Sequence, residues 1–477
     1  MEKIETPFLI NGAWRDGRAS GTSQVFDPAT GSAIASLAQA SPEEVDEALA
    51  AAQQGFARWR LVPAFDRSKI LRRAADLVRE RAADMAAAIT REQGKPLAEA
   101  KAEATGAADH IDWYAEEGRR AYGRVIPSRQ ANVRQLVLKE PIGPVAAFTP
   151  WNFPVGQLVR KIAGALAAGC SIIAKPPEDA PTSCIMLARC FQDAGLPDGA
   201  LNILFGVPSE ISEKLITSPI IRKVSFTGSV PVGRLLGSLS GTHLKRTTME
   251  LGGHAPFIVC ADADLEATIG LASVLKFRNA GQVCAAPTRF FVQRGIAKDF
   301  VEALGASADA LRVAEGTAQD VQMGPLANQR RQEAMREFVD DAVRGGGKLV
   351  TGGSTLDRSG FFFAPTIVTD LAPDSRLMTE EPFGPIAAMV VFDELDEAIA
   401  SSNSHPFGLA AFAFTHSTKN ALRLSNELEV GMVSINHFGI AAPETPFGGV
   451  KDSGYGSEGG VEGLEAYLST KFVSQMD

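Results

Sequence analysis

The chain is 477 residues long, more than one hydrophobic core usually supports, so two or three domains are expected. Its composition, 45% hydrophobic and 22% charged, is that of an ordinary soluble globular protein. A net charge of -9 excludes the basic face that nucleic acid or an anionic membrane would require.

The opening Met1-Glu2-Lys3-Ile4-Glu5-Thr6 has no basic region followed by an apolar one, so no leader is expected. The most apolar long stretch, Ile162 to Ala174, is too short to span a bilayer and is flanked by Lys161 and Lys175. It reads as a buried helix running into a buried strand. The five cysteines are odd in number and scattered, which suits a reducing compartment and makes the cytoplasm the expected location.

Near the start, Phe8 to Trp14 contains the Asn11-Gly12 pair that favours a tight hairpin. Ser41, Pro42 and Glu44 then spell a helix start with a capping box. Val45, Leu49, Ala52, Phe56 and Trp59 follow as one apolar stripe at helical spacing. Long Ala/Arg/Glu-rich helices are expected from about Asp66 to Tyr122, with solvated charged faces. Val125 to Lys139 reads as an extended ribbon, as does the tail Leu468 to Val473, and such exposed strands commonly pair with another chain.

From Gly143 the pattern changes. Pro144–Phe148, Ser171–Ala174, Leu201–Phe205 and Lys223–Phe226 are short apolar runs separated by helical stretches, which argues a parallel sheet with crossover helices. A second alternation runs from Ala255–Val259 past Val430–Ile435. The fold class is therefore α/β.

Among the cysteines, Cys170, Cys184, Cys190 and Cys260 lie on apolar faces and are assigned to core. Cys284 follows the polar, glycine-containing run Arg278 to Val283, where a thiol can find access and donors, and is the nucleophile candidate. Glu250, before Leu251-Gly252-Gly253, has apolar and tight flanks that would raise its pKa toward that of a general base. The alternative is a buried ion pair with a nearby Lys or Arg.

Asn152, in Thr149-Pro150-Trp151-Asn152-Phe153-Pro154, falls past a strand end, where ligands of open α/β sheets gather. Its amide could hold an oxyanion, or serve only as an Asx turn. Gly228-Ser229 to Gly233, between strand and helix, could take phosphates, although the full GxGxxG fingerprint is absent. Lys175 and Glu178, past another strand, could reach ribose hydroxyls, and Glu178 would repel a 2′-phosphate; NAD is expected over NADP. The six histidines show no metal-ligand spacing and no metal site is expected.

Together residues 149–154, 175–178, 226–233, 250–253 and 281–284, with Glu380 to Pro385 and Pro446 to Gly449, resemble the NAD(P)-dependent aldehyde dehydrogenase superfamily over nearly the whole chain. That resemblance implies Cys284 as nucleophile, Glu250 as base, and Asn152 with the Cys284 backbone N–H as oxyanion donors. It places Thr149, Pro150, Trp151, Lys175, Glu178, Gly228, Ser229, Gly233, Glu381 and Phe383 around the dinucleotide. It also implies two Rossmann-like parallel-sheet domains and a β-ribbon that builds homodimers or homotetramers. The implied division is 1–122 with 143–252 for NAD binding and 253–445 for catalysis. Residues 123–142 and 446–477 form ribbon and tail.

Substrate contacts are expected from Phe153, Gln157, Arg160 and Arg278. Two arginines beside a thiol can grip a distal carboxylate. The pattern resembles succinate-semialdehyde dehydrogenases, and the tail Pro446 to Gly460 resembles 2-oxoglutarate-semialdehyde dehydrogenases, so a carboxylate-bearing semialdehyde is the expected substrate. Ala441-Ala442-Pro443 departs from the serine that many succinate-semialdehyde enzymes use there. The rival readings are a broad-specificity aldehyde dehydrogenase and a nucleotide-free thiol esterase.

Overall fold

Leu251 ends one buried strand and Ala255 begins the next, so the chain passes directly from the carboxyl edge of one sheet to the amino edge of another. That junction organises the computed structural model, which describes residues 2–3, 7–19 and 21–476. Met1 and residues 4–6, part of the stretch read above for a leader, lie outside the described residues.

The first sheet contains β1 (Phe8–Ile10), β2 (Ala13–Arg15), β3 (Val145–Phe148), β4 (Ile172–Lys175), β5 (Leu201–Ile203), β6 (Lys223–Gly228) and β7 (Arg246–Leu251). Asn11 and Gly12, both at positive φ, turn β1 into β2 as their sequence demands. The order across the sheet is β7-β6-β3-β4-β5-β1-β2, with β3 to β7 parallel. Chain progression reverses between β3 and β6. This is a topological switch point, and the crevice outside the carboxyl ends of these strands is where such sheets bind ligands.

Helices α1 (Pro42–Trp59), α2 (Ala64–Glu80), α3 (Ala82–Gln93) and α4 (Leu97–Glu117) precede β3, and α5 (Pro154–Ala168) follows it. The capping box at α1 forms as read: Ser41 Oγ accepts from Glu44 N at 3.3 Å, and Ser41 N donates to Glu44 Oε2 at 2.9 Å. Gly169 closes α5 in the left-handed region at φ 95°. Later come α6 (Pro181–Asp193), α7 (Pro208–Thr217) and α8 (Val230–Thr242). No described helix is long and apolar enough to cross a membrane.

The second sheet holds β8 (Ala255–Val259), β9 (Pro287–Gln293), β10 (Lys348–Thr351), β11 (Thr366–Thr369), β12 (Ile386–Phe392), β13 (Ala410–Phe414) and β14 (Met432–Ile435). Its order is β10-β11-β12-β9-β8-β13-β14, parallel except for β10 against β11. Helix α9 (Leu265–Phe277) links β8 toward β9. Each sheet carries its own hydrophobic core.

Residues 124–126, 133–141 and 468–476 form a separate three-stranded antiparallel ribbon. The stretch 446–477 is therefore not all ribbon. Gly454–Tyr455 pairs with β7 and extends the first sheet, and the helix Gly460–Glu465 packs on α5. The two lysines read as flanking the apolar stretch are also inside: Lys161 and Lys175 are both buried, each held by a carboxylate.

Candidate active site

Three strand ends converge at the switch point. β3 runs out into Thr149-Pro150-Trp151-Asn152, β6 into Gly228-Ser229, and β7 carries Glu250 one residue before its end. Against them, from the amino edge of the second sheet, lies the turn that carries Cys284.

That turn follows α9 and is unusually tight. Asn279, Ala280 and Gly281 all sit at positive φ (49°, 51° and 71°). At Gly281 a Cβ would run into the Gly384 carbonyl, so only glycine fits. Buried amides brace it. Asn279 Nδ2 donates to the Asn152 carbonyl at 2.9 Å, and Gln93 Nε2 donates to Asn279 Oδ1 at 2.8 Å. Asn152 returns the contact, its Nδ2 donating to Gln282 O at 3.0 Å. Asn152 thus bonds across to the cysteine turn, rather than closing a local Asx turn, and its second N–H has no partner among the described residues. Its backbone carbonyl also accepts from Lys95 Nζ at 2.8 Å.

Two cavities meet at Cys284. One, of about 350 Å³, is lined by the ends of β3, β6 and β7 together with Arg331, Glu381 and Phe383. The other, of about 190 Å³, is lined by α4, α5 and the segments around Cys284 and Phe447. Cys284 is the residue common to both walls. The other four cysteines are buried, as read.

The surroundings of Cys284 and Glu250 disfavour the charged form of each. Burial, then the charges of Glu381 and Glu250, push the Cys284 thiol up to about 12, against the pull of Arg160 and the Ala285 N–H. Glu250 is buried and neither carboxyl oxygen has a hydrogen-bond partner among the described residues. Burial first, then the charge of Glu458, raise its pKa well above the carboxylate range. The ion-pair alternative for Glu250 is not what the structure shows. The pair nearby is Lys161–Glu458, at 2.5 Å, with Lys161 Nζ also 3.1 Å from Ser225 Oγ. Lys161 and Glu458 are far apart in sequence, and no local motif marks either.

In the larger cavity Glu381 Oε1 accepts from Gly253 N at 3.1 Å, and burial lifts its pKa to about 7. A Cβ at Gly252 would meet the Glu381 carboxyl and make it shift. Trp151 and Phe383 meet edge to face, 5.7 Å between centroids. Buried Thr149 Oγ1 and Thr227 Oγ1 have no partner among the described residues.

These orphaned hydroxyls, the Gly228-Ser229 turn opening α8, and the buried Glu381 suit a dinucleotide. Lys175 and Glu178 stand further along, past the end of β4, and pair with each other at 2.5 Å. Gly233 lies one turn into α8 and faces Leu251, where the missing side chain lets α8 close on β7.

Phe153, Gln157, Arg160 and Arg278 all line the smaller cavity. Arg160 stacks over Phe447 at 4.9 Å, and neither arginine forms an ion pair among the described residues. Glu103 in the same wall is occupied by Lys95 at 2.6 Å and by the N–H groups of Val155 and Gly156, each at 3.0 Å. His110, Gly106 and Phe447 also line this cavity, as do Ile440 and Ala441. Phe447 lies in the Pro446 to Gly449 stretch already singled out, whereas Gly106 and His110 carry no such signal, because each looks like helix filler or core.

Oxidation through a covalent adduct requires one nucleophile to face its substrate on one side and a dinucleotide on the other, and Cys284 stands between two such cavities. The class so defined is a nucleotide-linked oxidoreductase. The chain belongs to the aldehyde dehydrogenase family, which it matches over residues 14–473. It is 52% identical to a 4-(hydroxymethyl)benzenesulfonate dehydrogenase of Comamonas testosteroni, over 98% of this chain and 97% of the relative. It is 40% identical to an NADP-dependent succinate-semialdehyde dehydrogenase of Escherichia coli K12, over 98% and 96%. A succinate-semialdehyde dehydrogenase structure from Burkholderia pseudomallei superposes with a TM-score of 0.97 at 42% identity, covering 99% of this chain and 98% of that one. The enzyme is therefore an aldehyde dehydrogenase, and the family's cofactor is NAD(P).

Proposed function

We propose that this enzyme oxidises an aldehyde bearing an anionic group at its far end, a carboxylate or a sulfonate, to the acid, with NAD as the preferred cofactor. The observation that carries this reading is the pair Arg160 and Arg278, without an ion pair among the described residues, in the wall of the cavity that opens on Cys284. Charge-assisted bonds to an anion are among the stronger contacts a site can make. The names of both curated relatives fit an anionic substrate, one a sulfonate and one a carboxylate.

In this reading the Cys284 thiolate adds to the carbonyl, and the oxyanion takes the free N–H of Asn152 and the Cys284 backbone N–H. A bound nicotinamide supplies the acceptor for the hydride that leaves the adduct. Glu250 removes a proton from water, which attacks the resulting thioester and frees Cys284. Lys161 and Glu458 set the charge around Glu250. Glu381 and Phe383 hold the nicotinamide ribose, and Gly228 and Ser229 the phosphates. Lys175 and Glu178 take the adenosine ribose, where a carboxylate disfavours a 2′-phosphate. Chains associate as dimers or tetramers through the ribbon.

The test is a panel of succinate semialdehyde and 4-formylbenzenesulfonate beside uncharged butanal and benzaldehyde, each with NAD and NADP. Each anionic aldehyde should exceed its uncharged counterpart roughly tenfold or more in kcat/KM, the worth of one charge-assisted contact. Arg160→Leu should erase that margin. Equal use of charged and uncharged aldehydes would overturn the anionic reading, and higher kcat/KM with NADP the cofactor preference.

A further inference from the structure

Gly106 sits in the interior of α4, a helix that spans Leu97–Glu117, where glycine is a poor helix former. Most helix glycines answer to a close neighbour. This one does not: a Cβ placed on Gly106 would meet nothing within 4 Å. The space above it is the cavity that opens on Cys284.

One turn further along, on the same face of α4, His110 lines the same cavity. It is 7% exposed, and its Nδ1 has no hydrogen-bond partner among the described residues. A buried polar atom without a partner is rare and costly unless something supplies one. The other polar group on this face, Glu103, is already satisfied by Lys95 and two backbone amides.

The cavity is about 190 Å³, and one of about 150 Å³ lodges a benzene ring. Its apolar sides are Phe153 and Phe447, and Arg160 stacks on the latter.

We propose that Gly106 and His110 form a distal subsite for a ring: the gap over Gly106 admits an aromatic aldehyde, and His110 bonds an anionic oxygen on its far side. This rests on the anionic reading above and narrows it to aryl aldehydes carrying a sulfonate or carboxylate opposite the aldehyde. Burial, and then the charge of Arg160, push His110 down to about 3, so it meets the substrate neutral and offers one N–H and one acceptor nitrogen. Gly106 and His110 are specificity-determining residues and Arg160 supplies the charge.

The experiment compares kcat/KM for 4-formylbenzenesulfonate with that for succinate semialdehyde in Gly106→Leu, Gly106→Ala, His110→Phe and His110→Asn, with 4-formylbenzoate run in parallel. The aryl-to-aliphatic ratio should fall at least tenfold in Gly106→Leu and His110→Phe, mainly through KM. It should recover within about threefold of the unaltered enzyme in His110→Asn, which restores a donor. Gly106→Ala keeps the proposal testable if the leucine variant fails to fold. It should lower the ratio while raising the unfolding temperature, because alanine favours the helix. A ratio unmoved in all four variants, or equal losses on both substrates, overturns the proposal. Failure of the underlying anionic reading looks different: the unaltered enzyme would use benzaldehyde as well as 4-formylbenzenesulfonate.

Discussion

In the proposed mechanism Cys284 and Glu250 must each give up a proton to act, and the fold holds both against doing so. The charges that press on the thiol include that of Glu250 itself, so the two negative forms oppose each other. The sign follows directly. The working forms are the deprotonated ones, both pKa values are raised, and activity must therefore climb with pH above the ordinary carboxylate range of ~4.3. Glu250→Gln removes one negative neighbour from the thiol while deleting the base. Alkylation of Cys284 by iodoacetamide at pH 8 should speed up, while aldehyde turnover falls ~10²-fold or more. Alkylation that slows, or turnover that survives, would separate Glu250 from this role. Both residues were legible in sequence because glycines and apolar flanks beside them carry the signal. Lys161 and Glu458 were not: their pairing joins α5 to the tail, and only folding puts the two together.

At the scale of an element, α1 and α9 show what local patterning reveals and hides. The capping box of α1 is written in three adjacent positions and forms as read. Lys276, near the end of α9, looks in sequence like any solvated helix charge. In the fold it is fully buried, with no hydrogen-bond partner for Nζ among the described residues. Burial lowers it to about 7, against an attraction from Glu381. A lysine lowered in the folded state binds more protons when unfolded, so folding must expel a proton between about 7 and the unfolded value of ~10.4. Its cost is full at and below pH 7 and fades as pH rises toward 10. Lys276→Met should thus stabilise the enzyme by roughly 1–3 kcal/mol at pH 7, with a smaller gain at pH 9. Denaturant unfolding at the two pH values measures it; a loss of stability at pH 7 would mean that the charge is held by more than Glu381.

The whole molecule is two parallel sheets meeting edge to edge, and that much followed from two blocks of alternating strands and helices. What alternation could not reveal was the path of the tail, because a two-residue strand such as Gly454–Tyr455 has no periodicity to read. Beyond it, Leu468–Met476 runs antiparallel to 133–141 and has no strand on its outer edge among the described residues. Phe472 and Met476 on that strand, with Val125 at the opposite edge of the ribbon, are exposed apolar side chains. A nine-residue edge bearing such side chains invites pairing with another strand, and natural proteins guard such edges with lysine or cover them. If the ribbon joins subunits, the double substitution Phe472→Lys with Met476→Lys should break the assembly without touching either sheet. Light scattering on the eluting protein would then fall from a multiple of 50.5 kDa to 50.5 kDa, with aldehyde turnover per chain lowered severalfold at most. An assembly of unchanged mass would place the subunit contact on another face, and leave the exposed edge of Leu468–Met476 without a partner to explain it.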